Sequence, residues 1–157
     1  MYQTKNDLPE KTRRAVAAIL DARLADSVDL MQQAKQAHWN VRGASFIALH
    51  KLFDEIADAA AEYADLVAER AVALAAIAHG TVQAAAKESR LPAYPRDIAD
   101  ARAHLEALAS ALAAYAAGVR HAIEETDRLG DKATADVFTE IARGADKYLW
   151  LVEAHLG

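Results

Sequence analysis

The chain has 157 residues, a length that suits one domain with a substantial hydrophobic core. It has no cysteine, which excludes disulfide frameworks, zinc ribbons, iron–sulfur clusters and thiol nucleophiles and indicates a reducing compartment. Its net charge of -5 at pH 7 favours cations over phosphate backbones as ligands. Hydrophobic residues make up 54% of the chain, and much of that fraction is alanine, the strongest helix former, so we predict an all-α protein.

The first residues, MYQTKNDLPEKTRR, contain no apolar signal segment. Charged residues interrupt each later apolar stretch before the roughly 18 residues that a membrane span requires. We therefore expect a cytoplasmic protein with no membrane association. Residues 1–8 are expected to form a short tail that precedes a single helical domain over residues 9–157.

Two long helices are predicted in the first half of the chain. Helix A should span residues 9 to about 40, after the capping candidate Asp7. Helix B should span residues 46 to about 78, with Ser45 as its cap, and Gly80 should close it in a left-handed conformation. The short turn between the two helices makes them an antiparallel pair.

The second half predicts a short helix, an extended connection and two more long helices. The short helix covers about 81–89, and two prolines keep the segment 91–95 extended. Helix C should span 97–129, and Asp131 should cap helix D, which reaches almost to the C-terminus. Together these elements predict a four-helix bundle with a short extra helix in a long crossover. We expect this crossover to give helices A and C, and helices B and D, like directions.

Helix B carries two pairs of possible metal ligands, His50 with Asp54 and Asp65 with Glu69, each at i and i+4. At about 100° per residue all four side chains fall within an arc of about 100°, so they share one side of the helix. A separate face should pack inside the subunit, and it consists of Leu49, Phe53, Ile56, Val67 and Leu74.

The two pairs cannot hold one ion within a single chain, because Asp54 and Asp65 are about 16 Å apart along the helix. They can meet if a second copy of helix B packs antiparallel across a two-fold axis, which would form two identical sites. The adjoining side of the helix carries small residues that would allow this approach: Ala57, Ala61, Ala64 and Ala68. The spacing therefore predicts a dimer.

His38 on helix A is the fifth candidate, since it lies close to the turn and reaches the level of His50. Imidazole and carboxylate without thiolate suit Fe(II), Mn(II) or Zn(II). Each of these candidate ligands also has a purely structural interpretation. An acidic i,i+4 pair is usually a solvated face, His38 could be a core histidine, and His50 could bond to the preceding turn. Asp58 and Glu62 lie at the edge and are interpreted as rim charges.

The run KQAHWNVRGASFIALHKLFDEIADAAAEYADLVAER resembles the ferroxidase signature of the Dps family, the mini-ferritins also called DNA-binding proteins from starved cells. The resemblance continues through HGTVQAAAKESRLPAYPRDI and TADVFTEIARGADKYLWLVEAHLG, so it covers nearly everything after about residue 30. It implies a ferritin-like bundle with two-iron sites shared between subunits. One chain would supply His38, His50 and Asp54, and its partner would supply Asp65 and Glu69. The Glu-x-x-His spacing of ordinary ferritins is absent, which disfavours their single-subunit site.

The resemblance also implies a hollow dodecamer built from two-fold dimers. Such a shell oxidises Fe(II) with hydrogen peroxide as the preferred oxidant, stores ferric mineral and protects against oxidative stress. It would therefore be a ferroxidase, with Zn(II) or Mn(II) as alternative occupants of its sites. Trp39 resembles the family tryptophan that absorbs stray oxidising equivalents, although packing at an interface explains it equally well.

Asp131 and Asp136 resemble the aspartates that line the family's three-fold pores, through which Fe(II) enters. The segment 132–134 carries no further aspartates, so we expect a less negative pore. Asp131 has an alternative role as a helix cap.

Two competing functions remain open. In the first, a nucleoid-associated protein compacts DNA through basic tail residues, here Lys5, Lys11, Arg13 and Arg14 against Asp7 and Glu10. Twelve copies would together carry a charge of about -60, so we expect DNA binding to be weak or absent. In the second, the chain is a purely structural helical oligomer. The remaining histidines are interpreted as surface or capping residues: His79, His104, His121 and His155.

Overall fold

The computed structural model describes residues 1–157 and contains helices but no strands. Its five helices are α1 (Glu10–Asn40), α2 (Phe46–Ala73), α3 (Val82–Glu88), α4 (Ala101–Arg128) and α5 (Lys132–Glu153). The four long helices form the bundle and α3 lies in the crossover, which confirms the predicted all-α, ferritin-like architecture. No helix combines the length and the apolar character that crossing a membrane would need.

The three helices in the second half of the chain begin with side-chain caps, whereas the two in the first half do not. Thr81, Asp100 and Asp131 each accept backbone N–H groups at the starts of α3, α4 and α5. Ser45 occupies the capping position of α2 but makes no side-chain cap, and Asp7 lies outside α1, whose first residue follows Pro9. The capping prediction for Asp7 is therefore wrong, the one for Ser45 is right in position but lacks a side-chain bond, and the one for Asp131 is confirmed.

Helix α2 ends earlier than predicted, at Ala73, and Ala75 takes the left-handed conformation with φ 64°. The N–H of Ala76 bonds the carbonyl of Ala71 at 3.0 Å, which completes a Schellman ending without glycine. Contacts from the N-terminal region support this ending. Arg13 Nη1 donates to the Leu74 carbonyl at 3.1 Å, and the first residues add a bond from the Tyr2 N–H to the Ala75 carbonyl at 2.7 Å.

The predicted helix directions are wrong, because both lateral pairs of helices run antiparallel. On α1 and α4, Ser27 contacts Tyr115 while Arg23, earlier on α1, faces the later Gly118. On α2 and α5, Arg70 pairs with Asp131 at the start of α5, whereas Tyr63, earlier on α2, faces the later Gly144. Helices α1 and α5 therefore share one direction, and α2 and α4 share the other.

The crossover explains this topology, since it travels the length of α1 before α4 begins. His79 bonds Asp21 early on α1, and Gln33 Nε2 reaches the carbonyl of Pro92 further along it. The chain thus returns to the end of the bundle from which α2 started, and α4 runs parallel to α2.

The predicted core face of α2 is confirmed, with all five of its residues at most 1% exposed. Ala57 also belongs to this core at 1% exposure, so it cannot line a free side of the helix as predicted. The surface assignment of His104 is likewise wrong. His104 is fully buried, its Nδ1 lies 2.6 Å from the hydroxyl of Tyr94, and burial lowers the pKa of its imidazole.

Candidate metal centre

Two histidines face each other where the end of α1 meets the start of α2. The rings of His38 and His50 stack with centroids 3.7 Å apart and planes inclined by 21°. Nδ1 of His38 lies 2.7 Å from the carbonyl oxygen of His50, and Nδ1 of His50 lies 2.8 Å from the carbonyl oxygen of His38. Each imidazole is thereby fixed by the backbone of the other helix.

This reciprocal pair of hydrogen bonds determines which ring nitrogen can bind a cation. A carbonyl oxygen only accepts hydrogen bonds, so Nδ1 of each neutral ring must carry the proton. The lone pair of each ring then lies on Nε2, and a backbone bond of this kind at the other nitrogen is usual for metal-binding histidines. Both imidazoles are thus held in the tautomer that a metal ion requires.

Asp54 adds a carboxylate to the same corner. It follows His50 by one turn of α2, and its Oδ1 lies 3.8 Å from Nδ1 of His38. Lys35, three residues before His38 on α1, donates a hydrogen bond to the same carboxylate oxygen. This bond holds the pKa of Asp54 below its usual value and raises the pKa of Lys35.

Asp65 and Glu69 lie further along α2 and do not join this corner. Both side chains are exposed, and neither takes part in an ion pair within the chain. At a rise of about 1.5 Å per residue, Asp65 is about 16 Å from Asp54 along the helix. Although His38, His50 and Asp54 share one corner, the single chain holds no group of three or more ligand side chains arranged for a metal ion.

Three large hydrophobic residues close in sequence to the histidine pair are exposed. Trp39 at the end of α1 is 66% exposed, and two hydrophobic residues in the first turn of α2, Phe46 and Ile47, are exposed as well. The ring of Phe46 lies 5.0 Å from that of His50. Several large exposed apolar side chains in one region are typical of a surface that another protein covers.

The two predicted pore residues occupy different environments. Asp131 is 2% exposed, and its carboxylate accepts bonds from Arg70 and Thr134. Burial disfavours its ionised form, but these hydrogen bonds outweigh burial and hold the pKa of Asp131 below its usual value. Asp136, five residues later in α5, is exposed.

Lys35 is the site residue that the sequence patterns missed. Its only signal is the i, i+3 spacing to His38, which places both side chains on one side of α1. A lysine is no metal ligand at neutral pH, so a search for ligands passes over it. The donor set that remains, imidazole nitrogen with carboxylate oxygen, fits Fe(II), Mn(II) or Zn(II).

Residues 17–157 match the model of the ferritin-like domain family. The DNA protection during starvation protein of Agrobacterium fabrum is 43% identical over 155 residues, which cover 99% of this chain and 96% of that protein. The solved Dps of Microbacterium arborescens in the high iron form superposes with a TM-score of 0.89 at 35% identity, covering 99% of both chains. DpsC from Streptomyces coelicolor gives a TM-score of 0.94 at 30% identity over 99% of this chain and 91% of that one. The chain therefore belongs to the Dps family of ferritin-like proteins.

Proposed function

We propose that this protein is a mini-ferritin that oxidises Fe(II) at sites shared between subunits and stores the product as ferric mineral. The observation that carries the proposal is the reciprocal hydrogen bonding of His38 and His50, which leaves the Nε2 lone pair of both rings free, at a corner where Oδ1 of Asp54 lies 3.8 Å from Nδ1 of His38. The similarity to a Dps solved in a high iron form supports iron as the substrate.

The complete site needs a second copy of α2. An antiparallel copy across a two-fold axis would bring Asp65 and Glu69 of the partner to the corner that holds the histidines. Small residues on the intervening side of α2, the exposed Ala61 and the half-buried Ala64 and Ala68, leave room for close approach. The exposed apolar surface around Trp39 would be covered in the same contact.

The reaction is a two-electron reduction of hydrogen peroxide by two Fe(II) ions. Each Fe(II) gives up one electron, the O–O bond breaks, and two protons are taken up to yield two water molecules and two Fe(III). Holding two ions in one site makes both electrons available together, so no hydroxyl radical leaves. Trp39, adjacent to His38 in sequence, would donate an electron to stray oxidising species.

Storage requires a closed shell, for which we propose a cytoplasmic dodecamer of such dimers. Zn(II) or Mn(II) could replace iron at the shared sites, because the ligand set suits them equally. Fe(II) would enter through three-fold pores, where the exposed Asp136 supplies negative charge and Asp131 fixes the start of α5.

Mixed dimers test the shared site. One chain carries His50→Ala with Asp54→Ala, and the other carries Asp65→Ala with Glu69→Ala. Each double variant alone should bind no Fe(II) at the site, whereas the mixed dimer should regain one of the two wild-type sites. Anaerobic Fe(II) titration followed by addition of peroxide measures both binding and oxidation. A mixed dimer that binds no more Fe(II) than its parents would contradict the proposal.

A second function is suggested by the relatives, which are named for DNA protection during starvation. Two contacts argue that DNA binding is weak here. The backbone of Tyr2 is bonded to Ala75, and the guanidinium of Arg13 is bonded to the carbonyls of Leu8 and Leu74. The first residues are therefore attached to the body, and the guanidinium of Arg13 in α1 is already bonded to backbone carbonyls. Retention of linear DNA in a gel at low salt and near-neutral pH would establish the DNA-binding alternative.

A further inference from the structure

Lys35 occupies the corner in which the proposed site would bind its first cation. Its ammonium group is paired with Asp54, and the side chains are 32% and 41% exposed, respectively. A metal ion that binds Asp54 must displace this ammonium group or share the carboxylate with it. The ammonium group and the metal ion are both positively charged and would repel each other at a shared carboxylate, so displacement is favoured.

Asp58 offers the displaced lysine another partner. It follows Asp54 by one helical turn, is exposed, and takes part in no ion pair within the chain. The hydrogen bond to Asp54 does most to raise the pKa of Lys35, and the charge of Asp58 adds a smaller contribution. The lysine stem is flexible, so its ammonium group can move one turn along α2 without a change in the backbone.

We infer that Lys35 is a resident counterion of the metal centre, held by Asp54 in the metal-free protein and transferred to Asp58 when a divalent cation binds. The inference rests on the proposed function, since it assumes that Asp54 is a ligand. Lys35 is then a positioning residue: it keeps the empty site neutral and pre-formed, and it sets the affinity for the first ion by competing for Asp54.

The test measures Zn(II) binding to the assembled protein by calorimetry at low ionic strength. Lys35→Gln should tighten Zn(II) binding about fivefold or more, because it removes both a competitor and a repulsive charge. Lys35→Arg, which keeps the charge, should not tighten it. Lys51→Gln is the matched control, since Lys51 is exposed next to His50 on α2 and makes no ion pair, and it should change the affinity less than about twofold.

A double-mutant cycle tests the transfer to Asp58. Asp58→Asn should weaken Zn(II) binding in the wild-type background more than in the Lys35→Gln background, because only the former has a lysine to receive. Glu62→Gln, an exposed acid one turn further along, should have the same effect in both backgrounds. The difference between the two cycles separates transfer from a general loss of negative charge.

The possible outcomes distinguish failure of the proposed site, of the counterion role of Lys35 and of the transfer to Asp58. If Zn(II) binding survives His50→Ala unchanged, the proposed site is wrong and the role of Lys35 falls with it. If binding depends on His50 but Lys35→Gln behaves like Lys51→Gln, only the counterion role is overturned. Equal effects of Asp58→Asn in both backgrounds would overturn the transfer.

Discussion

The two ends of α2 are attached to neighbouring helices by ion pairs of different kinds. At the C-terminal end, Arg70 donates to both oxygens of Asp131 at 2.8 and 3.0 Å and to Thr134 at 2.7 Å, and the hydroxyl of Thr134 donates to Asp131 at 2.6 Å. At the N-terminal end, Lys35 makes a single bond to a half-exposed Asp54. The first is a closed, largely dehydrated network, and the second is open to solvent.

This difference shows which carboxylates the fold uses and which remain available. Breaking a buried pair leaves a charge without compensation, so such a network keeps its cation. An exposed pair contributes little to stability and exchanges partners at low cost. The C-terminal end of α2 therefore fixes the bundle, while at the N-terminal end the carboxylate of Asp54 stays exposed and can exchange its partner.

The largest expected effect comes from breaking the closed network. Arg70→Ala should reduce the free energy of unfolding by about 3 kcal/mol, because it leaves the buried carboxylate of Asp131 without its cation. Lys35→Gln should cause a much smaller change, because its pair is solvated. Urea unfolding at equal protein concentration measures both. Equal losses for the two variants would contradict the distinction between the ends of α2.

A second prediction concerns the middle of α2, where the hydroxyl of Tyr63 packs against Gly144 of α5. A Cβ at Gly144 would lie 2.0 Å from this hydroxyl, so Gly144→Ala should destabilise the protein by about 1–3 kcal/mol despite the better helix propensity of alanine. Tyr63→Phe removes the clashing oxygen and should restore most of the loss in the double variant. A shift of the thermal midpoint measures it, and a stabilised single variant would disprove the close contact.

The closed network should also make part of the protein's free energy of unfolding sensitive to acid. The pKa of Asp131 is lowered in the folded state, so its contribution is fully present above the unfolded value of about 3.9 and is lost as pH falls through the folded value. Asp131→Asn should therefore flatten the loss of stability below about pH 4. Urea midpoints measured between pH 6 and pH 3 provide the test. Asp26→Asn is the control of opposite sign, because burial raises the pKa of Asp26.

The smallest expected effect concerns Asp136, the exposed aspartate near the same end of the bundle. If it lines a pore, Asp136→Asn should slow iron uptake by a few-fold at low ionic strength and less at high salt, since steering by exposed charge is screened. Stability and metal binding at His38 should not change. Uptake rates measured across a salt series decide the matter, and a rate that is unaffected at every salt concentration would make Asp136 an ordinary surface charge.

Much of the fold followed from local patterns. Alanine content, sparse glycine and proline, and the spacing of apolar residues on α2 determine the helices and the face that is buried. The end of α2 was misplaced because Gly80 looked like the natural stop, whereas Ala75 takes the left-handed conformation instead. That choice depends on Arg13 and Tyr2, which are distant in sequence, so no local pattern contains it.

The candidate site, like the fold, was predictable where it depends on local sequence and not where it depends on helix packing. The i,i+4 pairs on α2 and their separation of about 16 Å are properties of one helix, so the sequence by itself determined that a single chain cannot bring both pairs to one ion. Only the tertiary structure decided the tautomers of His38 and His50, the presence of Lys35 at Asp54, and the burial of Asp131 and His104. Each of these depends on which atoms of one helix meet those of another. Periodicity gives the face on which a side chain lies, but the partner it meets is determined by how the helices pack.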